Sequence, residues 1–219
     1  MRRLCSELDQ LYGGDGYLAF GIPLYELSRN PLDVLVMAIL SQNTTDANAR
    51  RAFDRLKEAF PTWEGVRDAP LDEVKEAIAV GGLAPTKAPR IKRILERLTA
   101  DTGRCSLDFL AEMDTREAMD YLTGLQGVGP KTAACVLLFA LERPVLPVDT
   151  HILRISRRLG LVRPGAGPVE AQSILQGACP PEWVLPLHVY LIRHGRRVCK
   201  ARNPDCGCCP FEEGCRFRR

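Results

Sequence analysis

The chain has 219 residues, a formal net charge of +3, 46% hydrophobic and 26% charged residues. That balance belongs to a soluble globular protein with surface enough to bury a real core, in one large domain or two small ones. The longest uncharged apolar run, Ala133 to Leu141, falls far short of the ~20 residues of a membrane span, and Met1 to Glu7 lacks the apolar stretch of a signal peptide, so a cytoplasmic protein without a membrane partner is expected.

Residues 1–29 read as a short helix and a loop. Asn30-Pro31 is a favourable pair of N-cap and first helical residue, and it opens an apolar helix from Leu32 to Leu40 whose hydrophobicity on every side places it in the middle of a helical domain. The polar run Ser41-Gln42-Asn43-Thr44-Thr45-Asp46 follows, then a helix bearing Ala49, Phe53, Leu56 and Phe60. Pro70 to Val80 is amphipathic through Leu71, Val74 and Ile78. Gly81 to Ala88 forms a turn with Thr86 as its cap and Leu83 between glycine and proline signals. Ile91, Ile94, Leu95 and Leu98 mark the next helix, and Leu107, Leu110 and Met113 another behind a Ser106 cap. Met119 and Leu122 belong to the helix that enters the stretch around which the chain is organised.

That stretch is Leu125-Gln126-Gly127-Val128-Gly129-Pro130-Lys131-Thr132, then an apolar helix, then Pro147-Val148-Asp149-Thr150-His151. Two glycines one residue apart permit backbone torsions and close ligand approach, and Pro130 suits the first turn of a helix that Ala134, Leu137, Leu138 and Leu141 continue. A glycine turn that delivers free N–H groups at a helix start is a natural phosphate site. Gly124, Gly129, Lys131 and Thr132 nearly make a P-loop, but Pro130 intervenes and no β-branched strand precedes them. Asp149 caps a helix carrying Ile152, Ile155 and Leu159. A helix from Lys131 to Leu141 covers ~16 Å and the connector from Glu142 to Val148 reaches ~23 Å, so the chain is long enough to return a carboxylate to the lysine. Read alone, the stretch also suits a purely structural helix-turn-helix. No alternating strand pattern appears over any useful length, and the expectation is an all-α fold.

Basic residues cluster after Asp149 (Arg154, Arg157, Arg158, Arg163), before the cysteine tail (Arg193, Arg196, Arg197, Lys200, Arg202) and at the end (Arg216, Arg218, Arg219). Such clusters attract a polyanion through phosphate contacts, or simply form a solvated face. Of nine cysteines, Cys5, Cys105, Cys135 and Cys179 are scattered, while Cys199, Cys206, Cys208, Cys209 and Cys215 crowd the tail. A cytosolic setting favours metal over disulfides there. Four follow C-x6-C-x2-C-x5-C, namely Cys199, Cys206, Cys209 and Cys215, a spacing open to zinc or an iron–sulfur cluster.

Leu125-x-Gly127-Val128-Gly129-x-Lys131-Thr132-Ala133 followed by Val148-Asp149-Thr150-His151 resembles the helix-hairpin-helix and catalytic segments of the endonuclease III family, DNA glycosylases with lyase activity. The resemblance covers nearly the whole chain. It implies Lys131 as nucleophile with Asp149 as catalytic partner, and a [4Fe-4S] cluster on Cys199, Cys206, Cys209 and Cys215, with Cys208 a departure from the family pattern. It implies two helical lobes: a six-helix domain over 24–143 containing the hairpin, and a cluster domain of 1–23 with 144–219. The partner is double-stranded DNA with damaged bases or abasic sites. Gly127, Gly129 and His151 join the DNA-binding set, with Leu83 as a wedge and either Gln42 or Asn43 as the side chain that fills the gap left by a flipped base. The implied activity is base-excision repair of oxidised pyrimidines by a nucleoid-associated monomer. The alternatives are a same-fold glycosylase for a mismatched thymine or oxidised purine, and a non-catalytic lesion-binding module.

Overall fold

The computed structural model describes residues 1–24 and 26–217, which leaves Arg218 and Arg219 of the basic tail outside the described residues. The chain forms two compact units, Ala19–Arg143 and a second made of Met1–Leu18 with Pro144–Arg219. Among the described residues the only strands are two of two residues each, β1 (Leu18–Ala19) and β2 (Ile22–Pro23), too short to make a layer. The fold is all-α, and no described helix is long and apolar enough to cross a membrane.

Seven described α-helices build the first unit: α2 (Pro31–Leu40), α3 (Asp46–Ala59), α4 (Trp63–Asp68), α5 (Leu71–Ala77), α6 (Ala84–Thr102), α7 (Thr115–Gly124) and α8 (Pro130–Phe139). The Asn30 side chain accepts from the N–H groups of Leu32 and Asp33 at 2.9 and 3.1 Å, which satisfies donors that a helix start otherwise leaves open. Every residue of α2 except Asp33 is buried. The helix packs against α8, α3 and α6, as its apolar character on all sides requires.

One short helix escapes the sequence pattern, and three local expectations are corrected. Trp63–Asp68 is a short helix capped by Thr62, with too few apolar positions to register as a period. The helix after the glycines begins at Ala84 rather than behind Thr86, because Leu83 takes a left-handed φ of 55° and turns the chain. Residues 108–111 form a single 3₁₀ turn. In α8 the helix stops at Phe139 with Ala140 as C-cap, so Leu141 lies outside it.

The second unit contains α1 (Arg2–Tyr12), α9 (Thr150–Arg158), α10 (Pro168–Ala178) and α11 (Val184–Arg197). Leu4, Leu8 and Tyr12 form the buried face of α1, which packs on α11, and α11 also carries α9. Polar contacts fix this pairing: the Tyr12 hydroxyl and His194 Nδ1 lie 2.8 Å apart, and Tyr190 donates to Asp9 Oδ1 at 2.6 Å. Arg193, buried at the same seam, donates to the carbonyls of Tyr12 and Gly16.

Candidate active site

The hairpin between α7 and α8 is held by its apolar residues. Leu125 and Val128 are buried, and the Val128 N–H closes the turn on the Leu125 carbonyl at 3.0 Å. Gly127 has a φ of +82°, a region that side chains resist. Gly129 is different: its φ of −93° suits any residue, and a Cβ there would meet nothing within 4 Å. The use of a glycine at 129 lies in the open space before it, where a ligand backbone can approach the start of α8. Lys131 sits in the first turn of α8, half-buried, with Nζ 5.8 Å from the Phe20 ring centroid.

Asp149 belongs to the other unit and is the N-cap of α9, where Oδ1 accepts from Ile152 N–H at 2.8 Å. The second carboxylate oxygen takes no part in that cap. Two residues invisible to motif reading deliver this aspartate. Gln176 clamps the incoming segment, its carbonyl accepting from Leu146 N–H at 2.6 Å and its amide donating to the Pro144 carbonyl at 2.7 Å. His188 Nδ1 lies 2.9 Å from the Pro147 carbonyl. His151 turns toward α11: its ring stands where a Cβ on Gly195 would be, and Nδ1 is 3.0 Å from Arg154 Nη2.

Within the first unit, Gln42, Asn43 and Leu83 occupy two loops at the ends of α2 and α5. Gln42 Oε1 accepts from Arg90 Nη1 at 2.8 Å. Asn43 is exposed with a φ of 53°, a conformation asparagine tolerates better than most. Leu83 does not fold back onto the core: it is 50% exposed and left-handed at a φ of 55°. A leucine there stores on the order of 1–2 kcal/mol of backbone strain. Both loops hang on one buried side chain. Lys87, 1% exposed, donates from Nζ to the Leu40 carbonyl at 2.7 Å and to the Gly81 carbonyl at 3.0 Å, and its burial lowers its pKa. Replacing Lys87 with methionine leaves two buried carbonyls unsatisfied and should cost about 2–4 kcal/mol, read as a fall in the urea midpoint with an unchanged slope.

Cys199, Cys206, Cys209 and Cys215 line one cavity, together with His194, Val198 and Phe217. Cys208 is not among the lining residues; it is exposed, with Sγ 3.4 Å from the Asp205 carbonyl. Among the described residues no group of His, Cys, Asp or Glu already stands in metal-binding geometry. The donor set nonetheless suits a metal centre. Burial pushes the Cys209 thiol up, and the neighbouring Cys199, Cys215 and Cys206 push it further. A thiol pushed up by neighbouring sulfurs in this way is relieved by a cation among them. The four thiols fit a four-thiolate iron–sulfur cluster.

The arginines after Asp149 face inward more than expected. Arg154 donates to the carbonyls of Gly195 and Cys199, Arg157 to that of Ala166, and Arg158 to the Cys199 sulfur and the carbonyls of Lys200 and Ala201. Arg163 pairs with Glu170. Unfilled carbonyls of segments with little secondary structure draw Arg154, Arg157 and Arg158, and Arg154 and Arg158 thereby brace the cysteine loop.

The sequence pattern of the HhH-GPD superfamily base excision DNA repair proteins matches residues 36–181. The endonuclease III of Sulfolobus acidocaldarius is 34% identical over 192 residues, covering 87% of this chain and 83% of that protein. The chain belongs to the endonuclease III family of that superfamily. A protein of Arabidopsis thaliana provisionally named a DNA glycosylase is 42% identical over 165 residues, 75% of this chain, and the chain spans 56% of that relative's length. A solved structure of a trapped endonuclease III–DNA covalent intermediate superposes with a TM-score of 0.82 at 30% identity, covering 98% of this chain and 93% of that one. The solved endonuclease III structure thus matches both units.

Proposed function

We propose that this base-excision repair DNA glycosylase removes oxidised pyrimidines from double-stranded DNA and then cuts the abasic strand, with Lys131 as nucleophile. The observation that carries this reading is a lysine in the first turn of a helix, directly behind a glycine hairpin with open space at Gly129. The homologous endonuclease III was captured as a covalent intermediate with DNA, and a covalent intermediate needs a nucleophile of this kind.

The chemistry follows from the groups present. The Lys131 amine, having lost its proton, forms a bond to the sugar C1′ as the C1′–N bond to the flipped base breaks. The ring opens to a Schiff base, and loss of a C2′ proton then expels the 3′ phosphate. The Asp149 carboxylate stabilises positive charge developing on the sugar. Asn43 or Gln42 fills the vacated stack and the strained, exposed Leu83 wedges it open, as flipping enzymes require. The open Gly129 N–H end of α8 takes a phosphate. A [4Fe-4S] cluster on Cys199, Cys206, Cys209 and Cys215, when bound, ties together a loop too short to hold a core. The chain acts as a monomer in the nucleoid-bearing compartment.

A second reading within the fold is a different lesion, since a fold hosts more than one specificity. A panel of duplexes with an oxidised pyrimidine, a G·T mismatch, an oxidised purine or an abasic site separates the two, with borohydride added to trap the Schiff base. Trapping on oxidised pyrimidine and abasic duplexes is expected; exclusive reaction with the mismatch or the purine would replace the substrate. In the same assay Asp149→Asn keeps the helix cap, because asparagine caps as well as aspartate. It should slow excision on the order of a hundredfold with an unchanged melting temperature, whereas normal turnover would reduce Asp149 to a cap.

A further inference from the structure

We infer that Arg90 is a positioning residue for opening the duplex: it clasps Gln42 against the hairpin loop, so that Asn43 is the side chain offered to the vacated stack. This inference rests on the glycosylase reading above.

Three segments distant in sequence meet at Arg90. Its Nη1 donates to Gln42 Oε1 at 2.8 Å, across 48 residues. Its Cδ, Nε and Cζ fill the place where a Cβ on Gly127 would stand. Gly127 therefore serves twice, by its φ of +82° and by giving the guanidinium a path over the hairpin backbone. One helical turn earlier on α6, and so on the same face, Lys87 holds the Leu40 and Gly81 carbonyls. Those carbonyls lie two residues before Gln42 and Leu83 respectively. One face of α6 thus grips the backbone of both DNA-entering loops, and through Arg90 it also grips a side chain of one of them and the hairpin of a third.

The clasp divides the two amides. Gln42 is half-buried with its carbonyl engaged, and that amide cannot serve a base without releasing the guanidinium. Asn43 follows it in the left-handed conformation, exposed. A planar guanidinium with a fixed donor fork holds its acceptor in direction as well as distance. Movement of the hairpin on a phosphate is thereby transmitted to the segment carrying Asn43.

The test uses the full chain and a duplex with 2-aminopurine stacked beside the damaged pyrimidine, whose fluorescence rises when the stack opens. Arg90→Ala should lower the opening signal and the single-turnover excision rate by about tenfold to a hundredfold, the cost of small misplacements remote from the bond being broken. Trapping on a preformed abasic duplex, where no base remains to be flipped, should stay within about twofold of wild type. Gln42→Ala should reproduce the loss, and the double variant should add nothing to it, since both changes break one contact. Arg90→Lys should restore part of the opening signal. Losses that multiply in the double variant would overturn the clasp. So would an Arg90→Ala chain that opens DNA normally, or one that loses abasic trapping as much as opening. The opening signal needs no bond breaking, so it reads Arg90 even if the wild-type chain excises nothing, the result that would sink the glycosylase reading instead. A wild-type chain that gives no opening signal overturns the inference itself.

Discussion

Lys131→Gln is expected to abolish borohydride trapping on an abasic duplex while leaving affinity for that duplex within about tenfold of wild type. The two effects separate because they have different physical sources. Binding is dominated by phosphate contacts and counterion release, to which one lysine adds about one contact. Trapping needs a neutral amine that can become an imine, which a glutamine amide cannot do. Glutamine keeps the length and polarity of the first turn of α8, whose fold rests on the buried run Thr132–Phe139, so melting should be unaffected. Covalent product in the variant would remove Lys131 from the nucleophile role and point to another amine.

The second large effect concerns the tail. Cys209→Ser should purify without iron, whereas Cys208→Ser should keep about four irons per chain and full activity. The geometry of the two neighbours differs: Cys209 lines the cavity shared with Cys199, Cys206 and Cys215, while Cys208 is exposed and directed at the Asp205 carbonyl. Losing the tie in a loop of this size should cost on the order of 2–5 kcal/mol, as removal of a covalent cross-link does in small domains. Iron analysis and thermal melting of both variants decide the matter. If Cys208→Ser is the one that bleaches, the ligand set is Cys199, Cys206, Cys208 and Cys215. A colourless wild-type chain with stoichiometric zinc would keep the loop and discard the iron.

The parts of the fold that can be read from the sequence are those whose physics is local. Asn30-Pro31 announces α2 because a cap and a first-turn proline act over three residues. Asp149 likewise accepts from an N–H three residues on, and Gly127-Val128-Gly129 writes its own turn. What escapes is set by distance in sequence or by competition. Arg90 and Gln42 are 48 residues apart, and Gln176 reaches back to Leu146 over 30; neither pairing leaves a spacing to recognise. The basic cluster after Asp149 reads in the sequence as open to phosphate or solvent, but backbone carbonyls compete successfully, those of the cysteine loop for Arg154 and Arg158 and that of Ala166 for Arg157. The start of α6 escapes because a strained leucine at 83, rather than the favourable cap Thr86, ends the turn.

The seam between α1 and α11 sets the order in which a nascent chain can fold. Tyr12 and His194 are 182 positions apart, and at ~5–20 residues per second the ribosome needs roughly ten to forty seconds to make the second after the first. During that time Ala19–Arg143 can collapse on its own contacts, while α1 waits with Leu4, Leu8 and Tyr12 uncovered. The cysteine loop follows α11 in the chain, so α1 gains its partner only just before the four thiols emerge. The amphipathic α1 is therefore a surface that a chaperone would hold until α11 has been made.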